Sequence, residues 1–325
     1  MDFPRPPRWK RVLNRLAAVT AIVLVAALAL GFVIQQHSDT EWRAQHPAPG
    51  SFVTVDDHRI QYRLRGEGDF TFVLESGLGD YSGSWGAFED GLSGIGRVFV
   101  YDRAGLGWSE PAPGPHTPPV LAADLHAVLA AAHIPKPYIL VGHSSGGISQ
   151  VLFAMDHPDE VAGLLLIDPA HKNQFQRLPA PPAVFMWLLP QLTRLAPFGL
   201  PQLLFGSKDP VQNLCSHVLA SGAELRATLD PDAAWRNRPI QLGHVPIYVL
   251  TADSSKAMPG KTDEERRAAW ETWKTMHEEL LAASASDIRR HEVVPGSNHN
   301  IHHTHPDAVI AAARELVQRI KASTP

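Results

Sequence analysis

The first long feature of the chain is an uncharged, mostly apolar run from Leu16 to Ile34, preceded by Arg5, Arg8, Lys10, Arg11 and Arg15. As a helix rising about 1.5 Å per residue, such a run spans a bilayer core of roughly 30 Å. Residues 35–50 are polar and contain Pro47 and Pro49, the pattern of a linker. From Ser51 the period changes. Ser51 to Val55 and Arg59 to Arg65 alternate around Asp56-Asp57-His58 and predict an opening hairpin. Phe70 to Glu75, Val98 to Tyr101, Tyr138 to Val141, Val161 to Ile167 and Val245 to Leu250 are short and largely apolar, as parallel strands buried on both faces are. His291 to Val294 reads as one more strand. Between these runs Leu121, Leu125, Val128 and Leu129 recur at helical spacing, and Thr262 with Glu265 forms a capping box for a helix from Asp263. Pro306 can open a last helix towards Ile320. An antiparallel opening followed by alternating strand and helix predicts a mostly parallel sheet with helices on both faces.

Residues 171–243 break that rhythm. Pro179, Pro181, Pro182, Pro190, Pro197 and Pro201 interrupt the apolar stretches Val184 to Leu189 and Leu203 to Phe205. Short apolar helices broken by proline suit a helical cap inserted after the sixth strand and lying over a site. The expected order is therefore a basic N-terminus at 1–15, a spanning segment at 16–34, a linker at 35–50 and one domain at 51–325 that carries the cap.

Composition changes this picture little. A length of 325 residues accommodates one large α/β domain with an insertion, and a net charge of −4 does not favour nucleic acid as a partner. Cys215 is the only cysteine, so neither an internal disulfide nor a cysteine-pair zinc site can form. The N-terminal bases are expected to stay in the cytoplasm, which makes the chain a single-pass cell-membrane protein with its domain outside. The competing reading is a signal peptide cleaved at Ala27-Leu28-Ala29. Both readings export the domain.

The candidate chemistry centres on Gly142-His143-Ser144-Ser145-Gly146, which follows the strand at Tyr138 and opens a helix. A serine hydroxyl is a weak nucleophile until a base lies in reach and the backbone exposes it, and a G-x-S-x-G turn between strand and helix provides that exposure. Further motifs follow strands in order: Glu75-Ser76-Gly77-Leu78-Gly79, Tyr101-Asp102-Arg103-Ala104-Gly105-Leu106-Gly107-Trp108-Ser109, and Gly296-Ser297-Asn298-His299. With these motifs, the chain from about Ser51 to its C-terminus resembles the α/β-hydrolase fold family.

The resemblance implies a serine hydrolase with Ser144 as nucleophile and His299 as base, and with the N–H groups of Leu78 and Ser145 as oxyanion hole. Ser76 stands where the family usually has histidine, a change that leaves backbone donors intact. The acid is divided. Aligning Pro246 to Ser255 with the usual strand-then-G-x-x-D pattern puts Ser255 where the family has aspartate, and Asp253 lies two residues early. Asp168, directly after the sixth strand in Ile167-Asp168-Pro169-Ala170, resembles the placement used by some lipases and is favoured over Asp253. Asp102 and Arg103 read as scaffold for the loops near the site, His143 as structural, and Asp124 and His126 as surface residues. His302, His303 and His305 raise the possibility of a zinc site, but no carboxylate or cysteine is spaced to complete one. No metal or organic cofactor is expected.

A serine at that turn argues against epoxide hydrolysis and dehalogenation, which use aspartate there. The expected reaction is hydrolysis of a carboxylic ester, from a small-molecule or lipid-like substrate with an apolar acyl group. Amide or N-terminal proline hydrolysis and cofactor-free perhydrolysis are alternatives within this chemistry. A binding protein that has kept the fold without the activity is the alternative outside it.

Overall fold

The alternation around Asp56-Asp57 folds the chain into a hairpin: β1 (Ser51–Val55) pairs antiparallel with β2 (His58–Arg65), Val55 opposite His58. Both turn aspartates have positive φ, 44° and 66°, a region that aspartate tolerates better than most residues. The computed structural model of the chain describes residues 7–179, 182–230, 233–253 and 255–323; Arg5, Pro181 and Ser254 lie outside them, as does the side chain of Phe185. The apolar runs form β3 (Thr71–Glu75), β4 (Arg97–Tyr101), β5 (Tyr138–His143), β6 (Val161–Ile167), β7 (Ile247–Ala252) and β8 (Arg289–Val294). Together they make one eight-stranded sheet in the order β1-β2-β4-β3-β5-β6-β7-β8. Both of β2's pairings are antiparallel, and every other neighbour beyond it is parallel.

Fully apolar strands alternate their side chains between two covered faces. Val73, Phe99, Leu140, Leu164, Leu166 and Val249 pack against α3 (Pro118–Ala131), α4 (Ser145–Asp156) and α9 (Asp263–Ala282). On the opposite face, Phe72, Leu74, Val100, Ile139, Val141, Leu165 and Leu250 pack against α2 (Ala87–Ser93) and the last helix (Pro306–Ser323). The Thr262–Glu265 capping box is formed, each side chain bonded to the other residue's N–H. After β6 come α5 (Gln174–Arg177), α6 (Ala183–Leu192), α7 (Leu200–Phe205) and α8 (Cys215–Leu229), the helical insertion expected before β7.

One segment departs from expectation. The first helix, α1 (Arg8–Gln45), does not stop where the apolar run stops; it continues through most of the segment expected to be a linker. Its polar residues there are bonded to the cap. Gln35 donates to Asp39 and to the carbonyl of Asn213, Asp39 accepts from the Cys215 N–H at 2.9 Å, and Arg43 donates to Ser216 Oγ at 3.1 Å. Polarity alone suggested a flexible connection, but side chains with tertiary partners hold these turns helical.

Candidate active site

The strand–turn–helix unit around Ser144 is built by close approach. A Cβ on Gly142 would come within 2.7 Å of Gly147 Cα, and one on Gly146 would collide with the Glu75 carbonyl, so only glycine lets β5, α4 and β3 meet. Ser144 itself sits at φ +51°, ψ −123°, a strained conformation for a non-glycine residue, at the N-cap of α4. It is fixed on both sides: its N–H donates to the Ile167 carbonyl at 3.2 Å, and its carbonyl accepts from Ala170 N–H at 2.8 Å.

The same arrangement brings Asp168 alongside. His143 and Ile167 are register partners at the ends of β5 and β6, and Ser144 and Asp168 each follow by one residue. Asp168 also has positive φ, 44°, and its N–H donates to the Leu250 carbonyl. Its Oδ1 accepts from Ala252 N–H at 3.0 Å and from Trp273 Nε1 at 2.9 Å, which leaves Oδ2 for His299 Nδ1 at 2.6 Å. Burial opposes charge on this carboxyl. The hydrogen bond from His299 Nδ1, the favourable electrostatics of the neighbouring His299 and His277 rings and the Ala252 N–H overcome it and hold the group below the usual carboxylate range. An ionised carboxylate can only accept, so the proton sits on Nδ1 of His299 and Nε2 presents its lone pair.

Asp253 does not join this group. It is exposed, accepts from Gly296 N–H at 3.1 Å, and bonds through its own N–H to Ser297 Oγ, which ties the loop after β7 to the turn that carries His299. Of the two candidate acids, only Asp168 contacts the histidine.

His143 Nε2 meets the backbone carbonyl of His299 at 3.0 Å and must therefore carry the proton. Burial, with the neighbouring His299, pushes its pKa down to about 3, so it stays neutral. Its ring lies 4.8 Å from that of His299 and 4.6 Å from that of His302. His302 is buried and driven down to about 2. Among the described residues the imidazole–carboxylate grouping close enough to hold an ion is His126, His157 and Glu160, outside the candidate triad. His126 and His157 stack face to face at 3.7 Å, so their in-plane lone pairs do not converge, and Lys136 already bonds Glu160. Asp124 and His126, expected at the surface, are only half exposed: Asp124 lies against the opening hairpin at Val55 and His58, and His126 packs on Phe153 of α4 and on His157.

Leu78 and Ser145, the candidate oxyanion donors, are both half-buried, and neither N–H has an acceptor among the described residues. The Ser145 N–H belongs to the first turn of α4, where the helix dipole favours negative charge. Gly77 abuts Ser144: a Cβ there would touch Ser144 Cβ at 3.4 Å. This loop is held by a buried cation. Arg103 donates to the carbonyls of Ser76 at 2.9 Å and Gly77 at 2.8 Å, and forms ion pairs with Glu75 and, at 2.6 Å, with Glu224 on α8. Glu224 also accepts from Gly79 N–H at 2.9 Å. Asp102 turns away from Arg103 and accepts from Ser82 and Trp108 N–H. Glu224 lies in the cap, 121 residues beyond Arg103, and no local pattern points to it.

A cavity of about 330 Å³ adjoins the loop at Leu78, Gly79 and Asp80, and its other walls come from the cap, including Leu189, Leu192, Pro201, Phe205 and Val218. Ser144 and His299 are not in its wall; it meets the site through Leu78.

A family model described as the alpha/beta hydrolase family matches residues 72–313. YqjL of Bacillus subtilis, an uncharacterized protein, is 26% identical over 78% of this chain and 85% of its own length. A probable transporter of Hormonema carpetanum, efuK, is 31% identical over 46% of this chain, which spans only 23% of that protein. Among solved structures, a thermophilic esterase of Thermogutta terrifontis superposes with a TM-score of 0.59 at 18% identity, covering 83% of this chain and 98% of that one.

Proposed function

We propose that this chain, which belongs to the alpha/beta hydrolase family, is a membrane-anchored serine hydrolase that cleaves a carboxylic ester with an apolar acyl group. The observation that carries the reading is the 2.6 Å bond from His299 Nδ1 to a buried Asp168, beside a serine held at φ +51°. It supports Ser144 as nucleophile, His299 as base and Asp168 as the residue that orients the imidazole and stabilises its protonated form.

In the first step Ser144 Oγ bonds to the ester carbonyl carbon while its proton passes to His299 Nε2. The carbonyl oxygen takes the electron pair and is held by the N–H groups of Leu78 and Ser145. Collapse of this intermediate breaks the carbon–oxygen bond, and the alcohol leaves with the proton from His299. Water then attacks the acyl-enzyme, again losing its proton to His299; the acid departs and Ser144 regains its hydrogen. The reading of α1 as the anchor is supported by an apolar window of mean hydropathy 2.8, none of it buried in the fold. The bases before it favour a cytoplasmic N-terminus and an external domain.

The full chain should react with a fluorophosphonate probe, and Ser144→Ala should abolish the labelling. A folded chain that does not label would point instead to a binding protein that has kept the fold.

A further inference from the structure

The exposed large apolar side chains beyond α1 are concentrated in the cap. Val184, Trp187 and Leu188 on α6 and Leu203, Leu204 and Phe205 on α7 are all open to solvent, Leu203 at 82%. A soluble surface gains nothing from six such side chains on two consecutive helices that line one cavity, and a patch of this kind marks a place where something apolar sits.

What sits there follows from where the patch lies relative to α1. The connection between the two cap helices passes through Phe198 and Gly199, and these residues touch the end of the apolar run. A Cβ on Gly31 would come within 2.5 Å of the Phe198 carbonyl, Phe32 lies 6.5 Å from the Phe198 ring, and Gly199 faces Gln35. From there α1 is bolted to the domain by Gln35, Asp39 and Arg43, and Trp42 packs on Trp108 at 5.5 Å. The domain therefore does not swing on a flexible tether. The connection between α6 and α7 is held where the apolar run ends at Ile34, the membrane boundary of a spanning α1. Between residues 182 and 206 the one charged residue is Arg194, with no acidic residue to repel anionic headgroups.

The cavity and this patch share a residue. Phe205 is 64% exposed yet also forms part of the cavity wall, to which Leu78 at the candidate oxyanion site belongs as well. We infer that the α6–α7 face is immersed in the headgroup–acyl boundary of the bilayer that α1 spans, and that the cavity admits an ester whose acyl chain comes from that bilayer. The inference rests on the anchored-hydrolase reading given above. It adds a membrane-docking surface and a substrate source.

Two arms test it, both on the full chain reconstituted in phosphatidylcholine–phosphatidylglycerol vesicles. In the first, Leu203→Cys carries an environment-sensitive fluorophore, with the buried Cys215 left in place. Blue-shifted emission that brominated lipids quench is expected. Water-like emission, or a blue shift that brominated lipids leave unquenched, as a protein partner would give, overturns the docking surface. In the second arm, Trp187→Glu with Leu203→Glu is compared with wild type on p-nitrophenyl acetate in solution and on a long-chain ester dispersed in the vesicles. The double variant should keep the acetate rate and lose about tenfold or more on the vesicle-borne ester, since interfacial binding scales with buried apolar area. Equal effects on both substrates overturn the proposed entry route. If Ser144 fails to label, the hydrolase reading falls, while the fluorescence arm still reports on the surface.

Discussion

Asp168 holds its acceptors in a backbone conformation that asparagine also tolerates, so Asp168→Asn changes charge and hydrogen-bonding sense with little cost in folding. The amide would offer an N–H or a neutral oxygen to His299 Nδ1, which no longer fixes the tautomer with its lone pair on Nε2. We expect kcat on p-nitrophenyl butyrate to fall by roughly 10³–10⁴, while Asp253→Asn, whose carboxylate accepts from Gly296 N–H, stays within about twofold because it touches no member of the candidate triad. Near-wild-type rates in both variants would remove the carboxylate from the mechanism. This is also where the sequence was least legible. Ser144 and His299 stand in local patterns that a reader of the chain can recognise. The choice of acid depends on which strand end faces the histidine loop, and the bonds that decide it reach from Asp168 across 84 residues to Ala252, 105 to Trp273 and 131 to His299.

At the scale of elements, the strands were legible to within a residue or two because apolar runs in a parallel sheet are buried on both sides and need no partner to be identified. Helix α1 was less legible, since the polarity of residues 35–45 reads as linker until the cap that bonds them is known. The same limit hid the link between α8 and the loop that carries Leu78. Glu224 neutralises Arg103 and holds Gly79 N–H, so the cap helix and the candidate oxyanion loop share one buried ion network. Glu224→Ala leaves Glu75 as the remaining ion-pair partner of a buried guanidinium among the described residues, and removing one partner of a buried pair costs about 3–5 kcal/mol. The loop should loosen as well. We expect a lower melting temperature together with a kcat reduced about tenfold or more at little-changed KM, because the lost alignment is felt most in the transition state. Glu224→Gln, which keeps an acceptor for Gly79, should recover part of kcat but less of the stability. A variant with lowered stability and unaltered kcat would separate the network from the site.

Across the whole molecule, burial of neutral histidines sets the response to pH. His143, His302, His171 and His277 are each pushed down by burial, to about 3, 2, 4 and 4. Their folded values lie below the ordinary 6.5, so as pH falls past 6.5 the unfolded chain takes up protons that the native protein refuses. Their contribution is present above pH 6.5 and is lost progressively as pH drops towards the folded values, at ~1.4 kcal/mol per group per pH unit. Glu75 works in the opposite direction. Burial raises it to about 7 from an ordinary 4.5, so its contribution is full below pH 4.5 and is lost as pH rises through 7. Over the window from 6.5 to 4.5 it offsets one of the four imidazoles. Asp168, held below its usual range, weakens the fold only at more acidic pH, near and below the unfolded carboxylate value of about 3.9. His116, His157, His217 and His291 are shifted down as well, while the raised carboxyls of Asp39, Asp80, Asp102 and Asp124 act in the same sense as Glu75 but from the lower ordinary range of aspartate, so the balance as pH falls from 6.5 is a loss of stability. The full chain in detergent should therefore lose melting temperature steeply between pH 6.5 and 5, as followed by circular dichroism. Glu75→Gln, whose amide oxygen still accepts from Arg103 while its N–H group can donate to the Tyr101 hydroxyl, cannot take up the compensating proton and should make that fall steeper. A melting temperature that is flat across the window would mean that these imidazoles become solvated before the domain unfolds.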